Sequence, residues 1–165
     1  MLAKSLFPSA QVLLSDLDSA ALSLASENSQ IHAVDAIVRG DLLSWCRSSC
    51  VDIIIANPPY VDADDMQGLP AEYLHEPGLA LAGGDDGLDL VRVLLTDAAR
   101  ILRPTGLLIL EVGNSFGALD DLSNQLHPIW VDLAYGGHGV AVFMAQDLAQ
   151  WAVSEDTANP VVSAK

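Results

Sequence analysis

The seven residues Ile54-Ile55-Ala56-Asn57-Pro58-Pro59-Tyr60 join the end of an apolar run to an amide, two imino acids and a phenol ring. The run over 51–56 reads as a strand buried on both faces. Proline lacks a backbone N–H and fixes φ, so neither Pro58 nor Pro59 can extend a ladder. The chain therefore leaves the sheet at Asn57. There it presents an amide side chain, proline carbonyls with no donors beside them and the ring of Tyr60. A rim of acceptors at the carboxyl end of a strand is where open α/β sheets bind ligands. This rim suits a substrate that offers an N–H2 group.

A neutral amide nitrogen is a poor nucleophile because its lone pair is delocalised into the carbonyl. Two acceptors fixed on its two N–H bonds would hold it and favour the electron-rich geometry that develops as it attacks. The side-chain oxygen of Asn57 and the carbonyl of Pro58 are suitable acceptors. The remaining requirement is position, with nitrogen in line with an activated methyl. No general base is needed before transfer, since the proton leaves afterwards from a far more acidic cation. Tyr60 can pack on the planar amide or face a sulfonium.

The elements that must position these residues alternate along the chain. Residues 2–7 read as the end of a helix, 11–15 as a short strand ending at Asp16, and 19–28 as an Ala/Leu/Ser-rich helix. Residues 36–39 form a second short strand closed by Gly40-Asp41. A long acidic loop follows the strand over 51–56 and runs from 61 to 84, a length that is usually functional. Asp85-Asp86-Gly87 opens a helix with an aspartate as N-cap. Leu88, Val91, Leu94, Leu95, Ala98, Ala99 and Leu102 keep helical spacing until Pro104-Thr105-Gly106 stops it. A buried strand is expected over 107–112, a helix over 115–126, and strands over 129–134 and 140–145 joined as a hairpin through Gly136-Gly137-His138-Gly139. The sum is a parallel α/β sheet with an antiparallel edge, a domain over 1–150 and a disordered tail over 151–165.

Asp16 and Asp41 end two early strands. A carboxylate at a strand tip accepts hydrogen bonds from ribose hydroxyls in nucleotide-binding α/β folds. Each also has a plainer reading as a turn or helix cap. With Asn57 they form a row of polar strand tips, which capping explains less well.

Composition narrows the partners. The 165 residues are 51% hydrophobic and 18% charged, with a formal net charge of −15 and a mean hydropathy of +0.34. Seven Lys and Arg against 22 Asp and Glu cannot build a phosphate-tracking groove, so direct nucleic-acid binding is not expected. An acidic body favours a basic partner or simple solubility. Cys46 and Cys50 lack the second pair that a zinc site needs, and no metal is expected. His32, His75, His127 and His138 are scattered. No apolar run is long enough to span a bilayer, and the start is not signal-like, which points to the cytoplasm. Oligomeric state is not legible.

Residues 57–60 resemble the signature of S-adenosylmethionine-dependent amino methyltransferases, which act on adenine, cytosine or glutamine side-chain amides. A wider set of segments narrows the resemblance: 57–66, Leu69-Pro70-Ala71-Glu72-Tyr73, His75-Glu76-Pro77, Gly83-Gly84-Asp85-Asp86-Gly87-Leu88, Glu111-Val112-Gly113-Asn114-Ser115 and the closing Gly136-Gly137-His138-Gly139-Val140. Together they are similar to the HemK-like glutamine methyltransferases, and most to the branch acting on the third protein of the large ribosomal subunit. The resemblance covers about residues 7–148. It implies a class I (Rossmann-like) sheet with a terminal hairpin, S-adenosylmethionine as cofactor and a basic ribosomal protein as substrate. It also implies that Asp16 binds the cofactor ribose, that Asp41 and Leu42 lie at the adenine, and that Asn57 touches the cofactor. Asn57, Pro58, Pro59 and Tyr60 would seat the substrate glutamine, with Asn57, Pro58 and Tyr60 serving catalysis. Alternatives are the sister branch that methylates peptide release factors, a DNA amino methyltransferase, and a non-catalytic remnant.

One departure bears on the cofactor. Class I methyltransferases open with a strand and a turn of the type Asp-x-x-x-Gly-x-Gly, and this sequence has neither. That strand belongs at the sheet centre, between those ending at Asp16 and Asn57. The expectation is a family member truncated at its start that binds S-adenosylmethionine weakly or not at all.

Overall fold

Strand and helix signals alternate in the sequence because a strand edge can be paired in parallel only by a chain that first crosses back, and a helix is the usual crossover. The computed structural model describes residues 2–32, 34–60, 84, 86–122, 126–134 and 137–158, and divides into two compact units, 1–46 and 47–165.

The first unit holds α1 (Leu2–Leu6), β1 (Leu13–Asp16), α2 (Ser19–His32) and β2 (Ala36–Arg39). β1 and β2 pair in parallel, from Leu13 opposite Ala36 to Asp16 opposite Arg39. Asp18 caps α2, its Oδ1 accepting the Ala20 N–H at 2.9 Å. α2 runs past the predicted end at 28, since propensity is a weak guide to where a helix stops. Asp35 ties the start of the unit together. It accepts the Val12 N–H at 2.8 Å and pairs with Lys4 at 2.9 Å. Those contacts, led by the Val12 N–H, hold its carboxyl below the usual range.

The second unit holds β3 (Val51–Ala56), α3 (Asp89–Ile101), β4 (Leu102–Glu111), a 3-10 turn (Gly113–Ser115), α4 (Phe116–Leu122), β5 (Ile129–Trp130), β6 (Val140–Met144) and α5 (Ala145–Ala158). Its sheet has the order β3-β4-β6-β5, with β3 and β4 parallel and the other neighbours antiparallel. Ile54, Leu108, Leu110, Ala141 and Phe143 share one face through the register and are buried. α3 and α5 pack on each other and cover that face with Val91, Leu94, Leu95, Ala98, Ile101, Leu148 and Trp151, all buried. No described helix is long and apolar enough to cross a membrane.

Several expectations need correction. β3 is not buried on both faces: Ile54 is covered, but Ile53 and Ile55 are 46% and 66% exposed. The reason is that α3 and α5 lie on one side of the sheet, and alternate residues of a strand face opposite ways. Asp86 is not the N-cap of α3. The helix begins at Asp89 after Leu88, with no side-chain cap, while Asp86 accepts the Leu88 N–H at 3.0 Å and pairs with Arg92. Asp85 lies outside the described residues, as does most of the loop over 61–84. Pro104-Thr105-Gly106 does not separate helix from strand. β4 already starts at Leu102, and the three residues sit in an irregularity where Val51 faces Leu102 and Ile53 faces Leu107. The helix expected over 115–126 appears as α4 to Leu122, with 123–125 outside the described residues, and β5 is two residues rather than six. The tail expected over 151–165 does not begin at 151. α5 continues to Ala158 because Trp151 and Leu148 bury one helical face, and 159–165 lie outside the described residues.

Candidate active site

Residues 57–60 leave β3 where its ladder with β4 ends at Ala56 opposite Leu110. Asn57 is exposed, Pro58 is buried, and Pro59 and Tyr60 are half-buried. The side-chain amide of Asn57 has no hydrogen-bond partner among the described residues. The end of β4 and the segment following it meet Tyr60 at three points. Ser115 Oγ donates to the Tyr60 carbonyl at 2.8 Å. The Tyr60 hydroxyl approaches Glu111 Oε1 at 3.5 Å, a long contact. The ring lies against Gly113, where a Cβ would collide with it.

Glycine is required here by space as well as by conformation. Gly87 has φ +76 and abuts both Ser115 Oγ and the Tyr60 carbonyl, so no side chain fits. Gly139, at φ +77, backs directly onto Gly113, and its carbonyl accepts the Val112 N–H at 2.7 Å. The Gly87 turn is anchored by Asp86, whose carboxyl the Arg92 guanidinium holds below the usual range. In turn the Arg92 pKa is raised by Asp86. His138 Nε2 lies 3.0 Å from Asn114 Oδ1, and its ring meets Phe116 edge-on.

The roles of Ser115, Gly113 and Gly87 were not read from the sequence, although their segments stood out in it. The available signal was a cluster of small residues after a strand tip, where backbones must approach closely.

Asp16 and Asp41 belong to the first unit, at the carboxyl ends of paired parallel strands. Asp16 divides its function. Its Oδ1 accepts the Asp18 N–H at 2.8 Å, the turn role, while no other described residue engages its carboxylate. The Asp41 carboxylate caps nothing among the described residues; the Asp41 carbonyl does, accepting both the N–H and Oγ of Ser44 at 3.2 and 2.9 Å. Leu42 takes φ +44, and its carbonyl accepts Trp45 Nε1–H at 3.1 Å. The indole lies tight against Gly40, fixing this turn. Two acceptor-only carboxylates with unused oxygens at adjacent strand tips fit a ligand with vicinal hydroxyls, as a ribose has.

The order of strands and helices, closed by an antiparallel strand, is the fold of class I methyltransferases. A methyltransferase from Pyrococcus furiosus has this fold with a TM-score of 0.57 and 18% identity, over 87% of this chain and 67% of that one. The family model Methyltransferase small domain matches residues 1–76.

In sequence the chain is similar to ribosomal protein uL3 glutamine methyltransferases. It is 37% identical to that of Francisella tularensis over 89% of this chain, and 39% identical to that of Burkholderia pseudomallei over 90%. It spans 48% and 52% of the two relatives, about half their length.

Proposed function

We propose that this chain carries the transfer site of a protein-glutamine methyltransferase acting on a basic ribosomal protein of the large subunit, in the cytoplasm. The observation that carries the reading is the contrast inside residues 57–60. The Asn57 amide is exposed and unengaged among the described residues, while Tyr60, three residues on, is held by its carbonyl and its ring. Such a site anchors the backbone beside the Pro58 carbonyl before the reaction and leaves the Asn57 amide open to a substrate.

S-adenosylmethionine would supply the activated methyl group, with Asp16, Asp41, Leu42 and Asn57 as the residues that hold it. The catalytic domain is taken as residues 1–150. Asn57 Oδ1 and the Pro58 carbonyl accept the two N–H bonds of the glutamine amide and fix the direction of its nitrogen. Pro59 and Tyr60 wall the amide, and the burial of Pro58 limits the water beside it. No residue need remove a proton before transfer.

The test is incubation of the protein with radiolabelled S-adenosylmethionine and purified uL3, followed by peptide mass spectrometry. A methyl group on a glutamine side chain, lost in Asn57→Ala, is the expected result. Label on a release factor and not on uL3 would move the assignment to the sister branch. Label on neither would end it.

A further inference from the structure

We infer that Ser115 is a positioning residue, whose hydroxyl fixes the geometry of residues 57–60 through the Tyr60 carbonyl; its effect on transfer rests on the function proposed above.

Ser115 is the one buried polar residue among the described residues, at 5% exposure. A buried hydroxyl is kept only where a partner satisfies it. Its partner is 55 positions away, the Tyr60 carbonyl at 2.8 Å. The surroundings are built around this one bond. Gly87 is shaved to backbone against both the donor and the acceptor, and Gly113 is shaved to backbone under the ring of the same tyrosine. The Ser115 N–H is itself held by the Val112 carbonyl at 3.0 Å, so the donor has a fixed origin.

The consequence lies in the span between anchors. Residues 57–60 are tied at one end by the β3 ladder at Ala56, which faces Leu110, and at the other by Ser115. Both anchors sit on one continuous stretch of chain, 110–115. Two prolines between them leave few soft torsions, because each fixes its own φ and restricts the residue before it. Fixing the Tyr60 peptide therefore narrows the directions open to the Pro58 carbonyl and to the Asn57 backbone from which its side chain departs. Without Ser115 the Tyr60 carbonyl loses its donor while the ring keeps its place against Gly113, and the peptides that carry the amide acceptors gain freedom to rotate.

The test uses one dipeptide. Tyr60-Val61 is the sole Tyr-Val step in the sequence. Protein labelled with carbonyl-13C tyrosine and 15N valine therefore gives a single amide cross-peak that reports the Tyr60 carbonyl. In Ser115→Ala the carbonyl resonance moves upfield by more than its linewidth. kcat for methyl transfer to uL3 falls by about tenfold or more, the scale of a displaced reacting group, while KM for S-adenosylmethionine stays unchanged. Ser115→Cys, which keeps the volume with a weaker donor, gives an intermediate carbonyl shift and rate, and decides the matter if the alanine variant fails to fold. Gly117→Ala, in α4 where a Cβ meets nothing, leaves both readings at wild type. An unmoved carbonyl resonance overturns the inference, as does a moved resonance with unchanged kcat. If wild-type protein transfers no methyl to any glutamine, the proposed function fails, while the carbonyl shift still decides whether Ser115 fixes Tyr60.

Discussion

The two units of the chain are held in opposite ways. In the second, two helices cover one face of a four-stranded sheet, and Phe143, Leu88, Leu95, Leu108, Leu110 and Leu148 are fully buried. In the first, no residue whose burial is described is buried, and Leu13, Leu17 and Leu24 are among the exposed large apolar side chains. A two-stranded parallel pair with one flanking helix cannot by itself bury enough area to offset the entropy of ordering it. The amide grip at 57–60 thus stands on the unit with a core, and the two strand-tip carboxylates stand on the unit without one. Rigid placement is available for the acceptors that would orient a reacting nitrogen. It is weaker for the groups that would bind a cofactor, whose affinity then carries the cost of ordering them.

The largest effect should fall on the grip. Asn57→Ala is expected to lower methyl transfer by about 10²–10³-fold, the scale of losing one preorganised polar contact to the transition state, with the melting midpoint unchanged. Transfer rates and calorimetric melting on the same preparation check this, and a parallel fall in both would show Asn57 to be structural.

Truncation of the core comes next. Leu95→Ala should cost about 2–5 kcal/mol in chemical denaturation, and Leu24→Ala, 60% exposed in the first unit, under about 0.5 kcal/mol. Equal losses would erase the distinction between the units.

Asp16→Ala should weaken whatever S-adenosylmethionine affinity the protein has by about ten- to a hundredfold, as expected for a hydrogen bond to a charged group. Titration calorimetry measures it, and the second unit should melt as before. An unchanged affinity would leave Asp16 with only its turn bond to Asp18.

The smallest effect concerns Asp86. Its carboxyl is held below its unfolded value, chiefly by the Arg92 side chain, with the Leu88 N–H adding to it. The pair therefore contributes its full stability above the ordinary carboxylate range, and the contribution is lost as pH falls through the lowered value. Both side chains are about two-fifths exposed, and solvent screening limits the contribution to under about 1 kcal/mol. Asp86→Asn should remove that part of the acid dependence of melting. An identical acid profile in the variant would place the anchor of the Gly87 turn elsewhere.

Much of the fold was legible locally. The strands over 36–39 and 51–56 appear with the predicted ends, because runs of apolar and β-branched residues bounded by Gly-Asp or Asn-Pro-Pro leave little choice. The α3 stripe and the closing hairpin follow from spacing in the same way. Local signals failed where packing overrode them. α5 persists beyond 151 because Trp151 finds a place against the core. Pro104-Thr105-Gly106 stays within β4 because the ladder resumes beyond it, and Ile55 is exposed because helices cover only one side of the sheet.

The candidate site divides along the same line. The sequence by itself determined that an amide, two prolines and a tyrosine follow an apolar strand, since those residue types admit few backbone paths. It also named Asp16 and Asp41 as strand-tip carboxylates and left their capping role open. Only the tertiary structure decided that Ser115, Gly113 and Gly87 converge on Tyr60. Those contacts join segments separated by 27 to 55 positions, and no local propensity records which distant backbones will meet.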